Sequence, residues 1–256
     1  MNHIFDSHSH YNDERFDEDR DQLLASMPEK GVCGIIHAAT DIESTRFGLA
    51  QAEKYPFFYA SAGLHPEEVA KVPADYLATL EELARSSKKV VAIGEIGLDY
   101  YYEGYDRELQ LRVFEEQLQL AQRLELPVIV HSREATKDCM DLLQKYRPRG
   151  VMHCFSGSAE TAREVQALGM HISFTGVLTF KNARKAVEAL MTVADDRLLL
   201  ETDCPYMAPE PFRGKRCDST MIPYVAQKIA ELKGCTPQDV LDRCTENTCR
   251  LFGIRM

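Results

Sequence analysis

The sequence has no CxxC pair, no apolar run long enough to cross a membrane, no block of like charge and no GxGxxG turn after its first apolar run. Each absence removes a class of protein. The eight cysteines, at 33, 139, 154, 204, 217, 235, 244 and 249, are scattered. A chain of this size buries enough core to hold together without disulfides, so reduced thiols and a cytoplasmic setting are expected. The missing apolar run excludes a spanning helix, and the chain opens into a strand, with no signal peptide expected. The net charge of -10 excludes a global basic field, so a polyanionic substrate would have to be held by local Lys and Arg, metal ions and backbone N–H groups. No linker or low-complexity segment divides the chain, and residues 1–256 are expected to form one domain.

What is present is an alternation. Short apolar runs at 4–6, 34–39, 57–62, 90–94, 127–130, 150–152, 171–174 and 198–200 are separated by amphipathic stretches. These lie at 20–30, 43–54, 75–86, 107–124, 137–146, 159–168, 182–193 and 221–233, with a final helical pair at 237–244 and 246–252. In 107–124, Leu111, Phe114, Leu118 and Ala121 repeat with helical spacing. Ser158 and Thr236 read as helix N-caps, the latter followed by Pro237, and Gly31, Gly169, Gly234 and Gly253 read as stops. Eight strand-then-helix units in about 250 residues predict an α/β fold, a closed (β/α)8 TIM barrel. An open doubly wound sheet is the alternative, and the missing glycine-rich phosphate turn argues against it.

The polar residues at the ends of the apolar runs carry the chemistry. His8 and His10 follow the first run. Side chains in a strand alternate, so two imidazoles one residue apart point the same way and offer half of a metal site. His65 follows the third run, Glu95 the fourth, His131 the fifth, His153 the sixth, and Glu201 and Asp203 the eighth. In a barrel these ends face one mouth, which holds the active site. His8, His10, Glu95, His131, His153 and Asp203 would converge there as metal ligands. A lone histidine beside an apolar run reads more readily as structural, and His37 and His171 take that reading, with His3 at the surface. Glu95 differs, because a carboxylate at the end of Val90-Val91-Ala92-Ile93-Gly94 needs a cation if it is buried. Asp203 has a competing reading as a helix N-cap ahead of Pro205.

Six ligands exceed the three that a single open catalytic zinc takes from protein. Two divalent metals about 3.5–4 Å apart, bridged by Glu95, account for them. His8 and His10 would serve the more buried metal with Glu95 and Asp203, and His131 and His153 the other with the shared Glu95. Glu201 and His65 would either orient ligands or hold a third metal. Mixed imidazole and carboxylate donors suit Zn, Mn, Co and, less well, Mg.

Phe5-Asp6-Ser7-His8-Ser9-His10, Gly63-Leu64-His65-Pro66, Gly94-Glu95-Ile96-Gly97-Leu98-Asp99, Pro127-Val128-Ile129-Val130-His131-Ser132-Arg133, His153-Cys154-Phe155-Ser156-Gly157 and Leu200-Glu201-Thr202-Asp203-Cys204-Pro205 together resemble the TatD family of metal-dependent deoxyribonucleases, within the amidohydrolase-like metallohydrolases. The resemblance runs through Arg216. It implies a TIM barrel, divalent metals on the same six ligands, a further metal near Glu201 and His65, and phosphodiester hydrolysis, often 3′→5′ on single-stranded DNA or RNA. One stretch departs: where the family often reads Arg-Gly-Lys-Arg-Asn-Glu-Pro, this chain reads Arg213-Gly214-Lys215-Arg216-Cys217-Asp218-Ser219.

The expected reaction is attack of an activated water on a phosphodiester, with Asp203 as general base and Glu95 between the metals. Arg133, Arg213, Lys215 and Arg216 are expected to receive phosphates, the loop at 213–216 having a plain solvated turn as its other reading. Tyr100, Tyr101 and Tyr102 either stack a terminal base or pack as a lid. The expected partner is single-stranded nucleic acid, with no membrane, and the chain is expected to act as a monomer. Hydrolysis of an amide, an ester or a D-aminoacyl-tRNA on the same metals is the alternative activity, and a metal-bearing scaffold without turnover is a third.

Overall fold

The computed structural model describes residues 1–255. One parallel sheet takes its strands in chain order: β1 (Ile4–Ser9), β2 (Val32–His37), β3 (Phe58–Ala62), β4 (Val90–Asp99), β5 (Val128–Arg133), β6 (Gly150–Met152), β7 (His171–Phe174) and β8 (Leu198–Leu200). Between and after them run α1 (Arg20–Ser26), α2 (Ile42–Lys54), α3 (Tyr76–Ser86), α4 (Arg107–Leu124), α5 (Thr136–Tyr146), α6 (Ala159–Ala167), α7 (Arg184–Leu190), α8 (Ile222–Lys233) and α9 (Pro237–Phe252). This is the TIM barrel the alternation predicts. Its ring is closed beyond the end of β8. The Asp203 N–H donates to His8 O at 3.0 Å and the His10 N–H to Cys204 O at 2.8 Å, with a parallel bridge between Ser9 and Cys204. The chain segment that closes the barrel is therefore the one that carries the site.

The strands are buried on both faces, as a sheet wrapped by helices requires. Inside the barrel, Phe5, Ile36, Val91, Ile129, Val151 and Leu199 form one apolar cluster with Leu251 and Phe252 from the end of α9 and Ile254 just beyond it. Each such side chain removed from water contributes about 1.5–3 kcal/mol. Helix α9 is continuous where the sequence reads as a pair. Thr245, at the expected break, turns its hydroxyl to His3 O at 2.6 Å, and the apolar face runs on through Cys244, Leu251 and Phe252. Helix α1 stops four residues short of its expected end because Pro28 begins a separate turn. The caps at Ser158 and Thr236 form as expected, Thr236 in a capping box with Asp239.

Three strands are longer than the apolar runs. β1, β4 and β5 continue through polar residues to Ser9, Asp99 and Arg133. His8, Glu95 and His131 thus lie within strands, not after them. Two register shifts matter most. Asp6 pairs with Ile35 but Ser9 with His37, and Ile93 pairs with Val128 but Ile96 with Val130. Each shift inserts one residue and turns over the alternation of side chains. His8 and Glu95 lie in these two bulges.

Candidate metal centre

Glu95 sits at the middle of the mouth and is 2% exposed. Its bulge needs space that only glycine leaves. A side chain at Gly63 would run into the Gly94 carbonyl group, and one at Gly94 into Ile129. Further along, Gly97 adopts φ 145° and lies against the His131 carbonyl oxygen.

The two carboxylate oxygens of Glu95 face different partners. Oε2 is 3.2 Å from His8 Nε2 and 3.5 Å from His10 Nε2. Oε1 is 2.9 Å from His131 Nδ1, 2.8 Å from His153 Nε2 and 3.4 Å from His65 Nε2. Asp203 joins the first group, with Oδ1 at 3.2 Å from His10 Nε2 and 3.6 Å from His8 Nε2. The rings of His8 and His153 stack at 3.9 Å. All six expected ligands therefore converge, across sequence separations of up to 195 residues from His8 to Asp203.

The hydrogen bonds on the far sides of the rings fix what faces inward. His10 Nδ1 donates to Ala38 O at 3.0 Å, so Nε2 of the neutral ring carries a bare lone pair. That lone pair faces Asp203, Glu95 and, at 3.0 Å, His8 Nε2. His131 Nε2 donates to Asp99 Oδ2 at 3.0 Å, leaving an Nδ1 lone pair against Glu95 and, at 3.3 Å, His153 Nε2. Lone pairs aimed at carboxylates and at each other repel unless positive charge lies among them. The pKa directions express the same demand. Burial alone would lift Glu95, but His153, His8 and His65 hold it well below the usual carboxylate range. Burial would lower His153, but Glu95 and Glu201 pull it well above the usual imidazole value. His131 and His10 also rise against burial, drawn by Asp99 and Glu95 in one case and by Asp203 and Glu95 in the other. Donor atoms of His8, His10 and Glu95, of His65, Glu95 and His131, and of His8, His153 and Glu201 lie within 4.8 Å of one another in each set and could hold a metal ion. The donor set fits divalent metals.

Glu201 and His65 use their atoms differently from the other six. Glu201 Oε1 accepts the Cys154 N–H at 2.5 Å and Oε2 the Ser173 hydroxyl at 2.5 Å, while Oε1 is 3.5 Å from His153 Nδ1. His65 Nδ1 accepts the Glu67 N–H at 3.3 Å, so the proton is on Nε2, toward Glu95. The expected phosphate contacts divide. Arg133 lines the cleft with its guanidinium 3.5 Å over the Tyr101 ring. Arg213 stacks 4.4 Å over Phe180, and Lys215 is 5.9 Å from the Phe212 ring. Arg216 is engaged by a half-buried carboxylate of the β1 loop, donating to Asp19 at 2.7 and 2.6 Å. Tyr100 packs on Tyr105 and donates to Asp138, whereas Tyr102 lines the cleft. His171 is buried at the opposite end of its strand from the centre, His37 is buried with its ring 6.5 Å from that of His10, and His3 is exposed beside Asp242.

Two residues were quoted in the sequence motifs without a role. Asp99 orients His131, and its signal was the strand alternation Glu95, Gly97, Asp99. Asp6 is fully buried and accepts from Thr202 N at 3.0 Å, Thr202 Oγ1 at 2.6 Å and Ser219 Oγ at 2.6 Å, tying β1 to the segment after β8. Burial pushes its carboxyl up to about 7. A carboxylate inside an apolar strand was the signal there. The centre opens into a cleft of about 820 Å³.

Residues 5–253 match the family described as TatD related DNase. The Bacillus subtilis protein YabD, named a metal-dependent hydrolase, is 41% identical over 98% of this chain and 99% of its own. A Cronobacter sakazakii protein named 3′-5′ ssDNA/RNA exonuclease TatD is 33% identical over 97% of each chain. The crystal structure of YJJV, a TatD homologue from Escherichia coli, superposes with a TM-score of 0.92 at 34% identity, covering 99% of both chains. With its barrel and its convergent histidines and carboxylates, the chain belongs to the TatD family of metal-dependent hydrolases.

Proposed function

We propose that this protein hydrolyses phosphodiester bonds of single-stranded nucleic acid as a 3′→5′ exonuclease, with Glu95 among the residues that would hold two divalent cations. The observation that carries the proposal is the division of Glu95 between two sets of nitrogens at the floor of an open cleft, with Arg133 on its wall. The naming of similar proteins as single-strand exonucleases supports the substrate class.

His8, His10, Asp203 and Glu95 Oε2 would hold one cation, and His131, His153 and Glu95 Oε1 the other. When bound, such cations supply Lewis acidity, lowering the pKa of water towards about 7 and drawing charge from a phosphoryl oxygen. Asp203 accepts the proton of the attacking water. Burial would raise its carboxyl, but His10, His8 and His153 hold it low, so it is ionised at neutral pH. Its Oδ1 faces the histidines and its Oδ2 takes no hydrogen bond from the described residues, leaving that oxygen to the cleft. Glu201 Oε1 lies 3.5 Å from His153 Nδ1, and His65 turns Nε2 toward Glu95 Oε1 at 3.4 Å, contacts suited to steadying the ring and the shared carboxylate. These atoms favour the orienting roles over a third cation site. Arg133, held flat on Tyr101, presents its guanidinium to a phosphate.

The test is turnover of 5′- and 3′-labelled single-stranded oligonucleotides after chelation and return of Zn, Mn or Mg. Stepwise loss from the 3′ end, abolished in Glu95→Ala and in Asp203→Ala with the fold intact, is expected. Retained turnover in both variants, or cleavage of small amides with none of oligonucleotides, refutes the proposal.

A further inference from the structure

The mouth of the barrel is electrically lopsided. On the loop after β1 stand Asp13, Glu14, Asp17, Glu18 and Asp19, and after β3 and β4 come Glu67, Glu68, Glu103 and Asp106. The loop after β7, residues 175–183, has no acidic residue and carries Lys181, with Lys185 in the first turn of α7. The loop after β8 adds Arg213 and Lys215. Of its carboxylates, Glu201 is buried, Asp203 belongs to the centre and Asp218 caps the turn at Thr220, so Glu210 alone remains free to oppose them.

Pairing leaves the asymmetry in place: it takes Asp13, Asp17, Asp19 and Glu68 out of the acidic side, but Glu14, Glu18, Glu67, Glu103 and Asp106 keep no cationic partner among the described residues. Most other cations near this face are neutralised: Arg15 by Asp13, Arg20 by Asp17, Lys71 by Glu68, Arg107 by Asp138, Arg184 by Glu188 and Arg216 by Asp19. Lys181, Lys185, Arg213 and Lys215 pair with no carboxylate among the described residues. They also sit on one joined surface. The Glu210 N–H donates to Thr179 Oγ1 at 2.8 Å, and Gly176 lies so close to the Met207 carbonyl that no side chain would fit there. Arg213 bridges the two loops by stacking on Phe180, next to Lys181. Lys185 and Asn182 reach the lining of the cleft. The basic rim therefore runs from the cleft outward over the β7 and β8 loops.

We infer that this rim is the track along which a single strand leaves the centre, its successive phosphates passing over Lys185, Lys181 and Arg213 while the acidic loops after β1, β3 and β4 repel it from the other side. The inference rests on the nucleic-acid reading of the site. It assigns Lys181 and Lys185 to the phosphates beyond the scissile one. In a chain of net charge -10, such a strip gives a polyanion one way across the mouth.

The experiment compares kcat/KM for a labelled 20-nucleotide single strand with that for the small diester thymidine 5′-(4-nitrophenyl phosphate), as salt rises from about 50 to about 200 mM. Each phosphate contact on a single strand adds about 0.7 to the slope of log affinity against log salt, so Lys181→Ala/Lys185→Ala loses about 1.4 of the slope, and the preference for the long strand at low salt narrows about sevenfold relative to high salt. Lys181→Glu/Lys185→Glu exaggerates the loss. The same charge reversal at the other end of the barrel, Lys30→Glu/Lys88→Glu, leaves the slope as in the wild type. An unchanged slope in the Lys181/Lys185 variants, or an equal loss in the Lys30/Lys88 variant, overturns the track. Wild-type turnover of the small diester with none of the 20-mer overturns the nucleic-acid reading itself, and the track with it.

Discussion

Replacing Asp99 by Asn changes one atom and should weaken the metal centre through the proton on His131. Asp99 Oδ1 accepts the Tyr101 N–H at 2.9 Å, and Oδ2 accepts from His131 Nε2 at 3.0 Å. The backbone there is clamped by Gln110, whose Oε1 takes the Asp99 N–H at 2.9 Å and whose Nε2 donates to Asp99 O at 2.9 Å. In Asp99→Asn the Tyr101 N–H keeps the amide oxygen in place, so the NH2 group is turned to His131. A donor now faces a donor. His131 must move its proton to Nδ1, which lies 2.9 Å from Glu95 Oε1 where a lone pair is needed. Loss of such an orienting partner costs 10–100-fold in metal affinity, about 1.4–2.7 kcal/mol. Competition against a chromogenic chelator gives the affinity, and a thermal midpoint near that of the wild type shows that the barrel is intact. Asp99→Ala removes the acceptor without imposing the wrong tautomer and should lose less. Unchanged affinity in Asp99→Asn, or a greater loss in Asp99→Ala, would refute the tautomer argument and leave Asp99 a packing residue.

Two further substitutions test the supports of the site. Gly97→Ala places a methyl group on the His131 carbonyl oxygen at a φ of 145°, so it should cost at least about 2 kcal/mol and lower the bound metal, read by denaturant midpoint and metal content. A stable, fully loaded Gly97→Ala protein would show that β4 can yield there. His37 is buried, with Nε2 on Ser44 O at 3.1 Å, and burial lowers its pKa to about 3. The unfolded chain binds a proton below its ordinary value of 6.5 that the native ring refuses, so this contribution is complete above 6.5 and is lost as pH falls towards 3, at about 1.4 kcal/mol per pH unit. His37→Gln should flatten the acid side of the stability curve measured by urea unfolding, and equal slopes in both proteins would contradict the assignment.

The ligand positions were legible because a barrel converts a one-dimensional regularity into a three-dimensional one. A polar residue at the end of each apolar run becomes a polar residue at one mouth, whatever the distance along the chain. What could not be read was which atom of each residue faces inward. The apolar runs stop at Asp6, Gly94 and Val130, while the strands continue to Ser9, Asp99 and Arg133. Apolar periodicity marks only where a strand meets the core, and the last residues of these strands meet the centre instead. The bulges at His8 and Glu95 change no composition and leave no periodic trace. The basic loop after β8 shows the opposite failure. Arg213, Lys215 and Arg216 look alike as a run, but only the fold gives Arg216 its carboxylate at Asp19 and leaves the other two unpaired. Lys181 and Lys185 carried no motif at all, since their meaning depends on which cations elsewhere on the mouth are neutralised.

Glu95 shows why the centre and the barrel cannot be varied separately. Leaving a buried carboxylate without a counter-charge costs several kcal/mol, and no Lys or Arg pairs with this one among the described residues. Its neighbours are imidazoles, which cost far less to bury neutral and become useful partners only when they carry protons or share a cation. Two of those rings are held by Ala38 O and Asp99 in the tautomer whose inward nitrogen carries the lone pair when the ring is neutral. The arrangement is thus a poor ion pair and a good cation site. It is built from the same residues that close the ring, since Asp203 and His8 are joined through the backbone as well as across the centre. A substitution that relieved the unpaired charge, such as a lysine reaching Glu95, would stabilise the strand end by filling the place the cations need. The fold surrounds the carboxylate with imidazole nitrogens in place of Lys or Arg, and that donor set suits a metal at the mouth.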